Sequence, residues 1–118
     1  MVVLFLAAVV SFLAGILSGL LGIGGGLILV PLFHYLLKMN MHLAVGTSLA
    51  IIVPTAIVGA LRHAGGSYVD WKVFVFAALF AVLGSLIGAN ISVSLDAVFL
   101  RKIFAVFMVL VAIKMLIQ

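Results

Sequence analysis

The chain has 118 residues, 69% of them hydrophobic and only 7% charged, with a mean hydropathy of +1.63. That length holds one domain, and soluble domains carry roughly 25% charged residues, so composition places residues 1–118 in a single integral membrane domain. The formal charge of +4 comes from Lys and Arg scattered at the ends of apolar stretches, which suits headgroup anchoring and argues against nucleic acid as a partner; the lack of cysteine excludes disulfides and thiolate metal or redox chemistry.

Residues 2 to 37 contain no charged side chain. As one α-helix they would reach about 54 Å at ~1.5 Å per residue, against a hydrocarbon core of about 30 Å, so they cannot form one simple span. Val2 to Leu21 is long enough to cross. It lacks a basic region at its start and apolar stretches recur to the C-terminus, so it reads as a mature span and not a cleaved leader. Ser11, Gly15 and Gly19 recur at four-residue intervals, a stripe that favours close helix packing.

Gly22-Ile23-Gly24-Gly25-Gly26 follows, and Pro31 comes soon after. Glycine removes the side chains that stiffen a helix and proline removes a backbone donor, so the segment is expected to break here. Leu27 to Leu37 is then a short apolar piece, either the second half of a broken span or the return arm of a re-entrant hairpin. Its helical part either starts near Val30, with Pro31 in the first turn, or leaves the Leu27 carbonyl free.

Lys38, Met39 and Asn40 make a polar turn, and Met41 to Leu61 reads as the next span, with Arg62, His63 and Gly65-Gly66 beyond it. Pro54 should kink it. Ser48, Thr55 and Gly59 fall on one narrow stripe expected to face protein. Asp70 is placed to cap a third span, Trp71 to Ser94, with Trp71 at headgroup level and a GxxxG pair at Gly84 and Gly88. Asp96 can cap a fourth, Ala97 to Ile117, whose Phe99, Phe104 and Phe107 suit lipid or a dimer contact. The fold expected is thus all-α, with about four transmembrane helices, the first broken or re-entrant at the glycine cluster.

Counting Lys and Arg near span ends gives Lys38, Arg101 and Lys102 on one side, and Arg62, Lys72 and Lys114 on the other. The bias that normally fixes orientation is absent. A chain of this kind can insert both ways and pair with an inverted copy, which is the route by which a half-size subunit builds a two-fold transport site.

The run Ser18-Gly19-Leu20-Leu21-Gly22-Ile23-Gly24-Gly25-Gly26 with Val30-Pro31, then Gly46-Thr47-Ser48, His63 and Val69-Asp70-Trp71, resembles the TauE/SafE sulfite exporter family over almost the whole chain. Members of that family are usually about twice as long and built of two similar halves, and this chain is similar to one half, the N-terminal one. The resemblance implies movement of small anions such as sulfite, sulfonates and other sulfur-containing or organic acids across the cytoplasmic (inner) membrane by a multi-pass protein. It also implies either a half-size member that works as a homodimer or a piece of a longer chain. The initial Met and an end soon after the fourth span favour the half-size member.

The anion site is expected at Gly22, Gly24, Gly25 and Gly26. A helix starting after the cluster points unpaired N–H groups and the positive end of its dipole at the break, so an oxyanion fits there without a basic side chain. Thr47 and Ser48 are candidate donors, or hydroxyls bonded back to their own helix. His63 is a candidate for substrate attraction, or an interfacial residue. His34 reads as a packed imidazole, His42 as loop, and Asn90 as a helix–helix hydrogen bond. No Glu occurs and both Asp residues sit at span ends, which removes the mid-membrane carboxylate that a small four-span multidrug exporter needs. A non-transporting assembly or helper subunit would fit the size but would not need the glycine break. No nucleophile–base set or metal-ligand spacing is visible, so neither an enzyme, a metal site nor a cofactor is expected.

Overall fold

The structure, a computed structural model, describes residues 1–118. It is all-helical: α1 Val2–Leu21, α2 Gly26–Tyr35, α3 Met41–Gly65, α4 Trp71–Ser94 and α5 Ala97–Ile117. Three of these, α1, α3 and α4, are long and apolar enough to cross a membrane. The fourth expected span forms α5, but Arg101, Lys102 and Lys114 leave it no 18-residue stretch with fewer than three charges.

Side chains at the helix starts supply the missing backbone partners. Asn40 accepts from the Leu43 amide at 2.9 Å, and Asp70 Oδ1 accepts from the Lys72 and Val73 amides at 3.0 and 3.1 Å. Asp96 occupies the cap position of α5 but its side chain accepts no capping bond. α3 runs past Leu61 to Gly65 and ends in a tight turn in which Tyr68 N–H donates to His63 O and Ser67 N–H to Ala64 O, both at 3.0 Å. This is the two-bond helix stop that usually places glycine in the left-handed position. Here that position is Ser67, with φ 61°, while Gly66 beside it has φ −92°. Ser67→Gly should therefore stabilise the chain by about 1 kcal/mol, read as a higher unfolding midpoint in detergent.

α2 begins at Gly26, so Pro31 lies inside the helix and Leu27 O loses its usual donor. The core gathers Ala14 of α1, Leu29, Val30 and Phe33 of α2, and Met41 and Ala44 of α3, with Ala97, Leu100 and Phe104 of α5 packed against it. Phe104 thus faces the core, whereas Phe99 and Phe107 remain exposed. His42, read from the sequence as loop, is the second residue of α3, and its Nε2–H donates to Leu95 O at 2.8 Å. That bond ties the start of α3 to the end of α4, and Arg101 of α5 shares a small cavity with Tyr35 and Met41. His34 Nδ1–H donates to Met39 O at 2.8 Å, closing the turn after α2.

Only ten of the 118 residues are buried, and none of them is on α4 or α5. Nearly all of the apolar surface of the long helices is therefore left for lipid or for further protein. The GxxxG pairs make no close approach within the chain, since a Cβ at Gly15, Gly19, Gly84 or Gly88 would meet nothing within 4 Å. Asn90 likewise makes no side-chain hydrogen bond here, in contrast to the helix–helix bond expected of it.

Candidate functional site

The chain between α1 and α2 turns on three glycines in the left-handed region: Gly22 (φ 68°), Gly24 (φ 71°) and Gly25 (φ 77°). A Cβ is disfavoured at each, and this is the physical need that the glycine cluster meets. Gly22 N–H closes α1 on Ser18 O at 2.8 Å. The next amides with backbone acceptors are Ile28 and Leu29, which both donate to Gly25 O, at 3.0 and 2.8 Å. The five amides between them, Ile23 to Leu27, make no hydrogen bond within the protein. Such donors stabilise a helix end only when water, a side chain or a ligand accepts from them.

α2 then returns beside α1 and α3. Gly25 is buried with Ser18 and Leu29 around it: a Cβ there would lie 3.5 Å from Leu29 Cδ1 and 3.6 Å from Ser18 Cβ. Gly26 faces α3, where a Cβ would come within 3.0 Å of Ile52 Cδ1. Ile52 is the twelfth residue of the 25 in α3, so the glycine turn lies beside the middle of that long helix. Gly26→Ala should cost about 1 kcal/mol in unfolding free energy, and Ile52→Val in the same chain should recover most of it, because the offending atom is then gone. A thermal or denaturant titration of the three variants checks this.

A cavity of about 330 Å³ opens between α1, the glycine turn and the second half of α3. Ser18, Gly19, Gly22 and Gly24 form one wall; Thr55, Ala56, Gly59, Ala60 and His63 form the other; Tyr68 and Val69 stand at one side. Pro54 precedes Thr55, and the Thr55 hydroxyl lies 3.0 and 3.1 Å from the carbonyls of Ile51 and Ile52, so its single hydrogen is committed to its own helix. Tyr68 is held across the α3 terminus, where a Cβ on Gly66 would meet its ring at 2.5 Å. Gly66 is needed for that close approach and not for its φ.

Of the residues expected at the site, Gly22, Gly24 and His63 line this cavity together. Gly25 and Gly26 lie in the same turn but pack against Ser18, Leu29 and Ile52. Thr47 and Ser48 are not part of the wall, and the Ser48 hydroxyl donates to Val45 O at 3.0 Å. Ser18, Thr55 and Tyr68 join the wall, although the sequence does not single them out for it. The Ser48, Thr55 and Gly59 stripe was the available signal for Thr55 and Gly59. No acidic side chain lines the cavity, and no three metal-ligating side chains cluster anywhere in the chain.

Comparison with known proteins points the same way as the glycine motif. Residues 2–118 match the family model described as sulfite exporter TauE/SafE. Two proteins named "probable membrane transporter protein", from Xylella fastidiosa strains 9a5c and Temecula1, are each 34% identical to this chain over 87 residues, covering 73% of it. That matched stretch spans 33% of the length of each relative. No solved structure matches. The chain belongs to the TauE/SafE sulfite exporter family of membrane transporters.

Proposed function

We propose that this chain is half of a cytoplasmic-membrane transporter of small anions, with sulfite, a sulfonate or a related sulfur-containing or organic anion bound at the glycine turn. The observation that carries this is the run of five unpaired amides, Ile23 to Leu27, next to a cavity without an acidic side chain. Amide donors and the positive end of α2 favour negative charge, and they do so without the desolvation cost of a buried lysine or arginine. Backbone of this irregular kind is tolerated at membrane depth where it lines a cavity, and α1 with α2 then forms a re-entrant or broken first span. α5 serves as the fourth crossing, with Arg101, Lys102 and Lys114 snorkelling toward the headgroups.

Two copies complete the path. In favour are α4, which buries no residue in the single chain, its unused Gly84 and Gly88, and its unbonded Asn90. Polar and small side chains on a membrane helix belong at protein contacts. The three-against-three distribution of Lys and Arg suits an antiparallel homodimer. The test is flux of sulfite into liposomes holding the purified protein, with cross-linking for the dimer and C-terminal reporter fusions for orientation. Sulfite uptake above empty liposomes, a cross-linked pair and reporter activity on both faces are expected; no flux by a folded, reconstituted protein contradicts the transport function, and one clear orientation contradicts the antiparallel pair.

A further inference from the structure

The glycine turn supplies only backbone donors, yet one side chain beside it is chemically unusual. Two polar side chains in the chain are buried, Ser48 at 1% exposure and Ser18 at 7%. Ser48 is satisfied by Val45 O, and the hydroxyls of Thr55 and Ser94 also bond back to their own helices. Ser18 sits within α1 with the same remedy within reach and makes no side-chain hydrogen bond at all. A buried hydroxyl without a partner is unfavourable and rare in folded proteins. Its oxygen is nevertheless not sealed in, because no fully enclosed side-chain oxygen in the chain lacks a partner and Ser18 lines the cavity.

The placement gives this free hydroxyl a direction of use. Gly25, the residue before the first turn of α2, packs on Ser18, and a Cβ at Gly25 would lie 3.7 Å from Ser18 Oγ. Gly25, with its unpaired amide, is therefore a direct neighbour of the unpaired hydroxyl. Thr55, on the opposite wall, has already given its hydrogen to backbone carbonyls.

We propose that Ser18 is a substrate-binding residue, donating its hydroxyl to one oxygen of an anion whose other oxygens are held by the amides of Ile23 to Leu27; this rests on the anion function proposed above. The two sets of donors reach the site from different directions, from α1 and from the start of α2. A pyramidal or tetrahedral oxyanion offers a separate oxygen to each set, whereas a halide, having one centre, sits best against one set and gains less from the other. Ser18 thus makes the site select polyoxygen anions over halides.

The test uses the full chain in detergent, with sulfite and chloride titrated at constant ionic strength. Ser18→Ala should weaken sulfite binding about 10-fold or more, as expected for loss of a hydrogen bond to a charged group, and change chloride binding by no more than about 2-fold. Ser18→Cys introduces a single thiol into an otherwise cysteine-free chain and keeps nearly the same shape with a weaker donor. It should lose sulfite affinity in the same direction and react with a water-soluble maleimide in the folded state. Should Ser18→Ala fail to fold, Ser18→Cys carries the test alone. Unchanged sulfite affinity in either folded variant, or a folded Ser18→Cys protein that resists the maleimide, overturns the role of Ser18 while leaving the anion site intact. A folded wild-type chain that binds neither anion overturns both.

Discussion

Gly25→Leu is expected to abolish anion binding and flux, a loss of at least about 100-fold, while the chain still inserts and remains helical. Two causes act together. Gly25 has φ 77°, a conformation that disfavours any L side chain by about 1–2 kcal/mol. Its Cβ direction also leads straight to Leu29 and Ser18, at 3.5 and 3.6 Å, so a first carbon fits but an isobutyl group does not. The leucine must either force α1 and α2 apart or unwind the turn, and in both cases the backbone of Ile23 to Leu27 is displaced from the arrangement that the anion site requires. Gly25→Ala separates the causes. It carries the backbone strain with little crowding, and its binding should fall between wild type and leucine. Calorimetric titration with sulfite, alongside circular dichroism of the purified variants, reads both effects.

The second large effect is expected at Phe33, which is 2% exposed and stands where α2 meets α1 and α3. In a membrane the apolar driving force between helices is weak, and tight van der Waals packing must hold short elements in place. A ten-residue helix has few such contacts, and Phe33 is the largest side chain that α2 buries. Phe33→Ala should lower stability by about 3 kcal/mol, measured by unfolding in denaturing detergent. Anion binding should fall with it, because α2 carries two of the five free amides. Phe107→Ala removes an equally large ring from the exposed side of α5 and should leave both nearly unchanged in the single chain.

These outcomes also separate what was legible in the sequence from what was not. The limits of α1, α4 and α5 match the expected Val2 to Leu21, Trp71 to Ser94 and Ala97 to Ile117, because charges, caps and the length needed to cross a bilayer all mark the same places. α3 runs four residues beyond the expected Leu61, since Arg62 and His63 suit the negative end of a helix and the turn at Ser67 closes only after them. Gly22 to Gly26 was legible as a place of special backbone, since only glycine enters the left-handed region freely. Which helix faces pair was far less legible. The small-residue stripes on α1 and α4 mark glycines that meet nothing within the chain, so neither the burial of Ser18 nor the nearly complete exposure of α4 could be read from periodicity. The same holds for Tyr68, whose position follows from the α3 terminus folding it over Gly66. Hydroxyl chemistry had to come from geometry as well: Ser48, Thr55 and Ser18 look alike in sequence, and only the hydrogen bonds separate the two that are satisfied from the one that is free.

The central claim is that backbone amides of the glycine turn hold the anion, and amide-resolved magnetic resonance of the ¹⁵N-glycine-labelled protein during a sulfite titration tests it most directly. The twelve glycines report from all parts of the chain. Saturable shifts confined to Gly24, Gly25 and Gly26, with Gly84 and Gly88 of α4 unmoved, are the predicted result. Saturable sulfite binding that leaves those three amides unshifted would contradict the account.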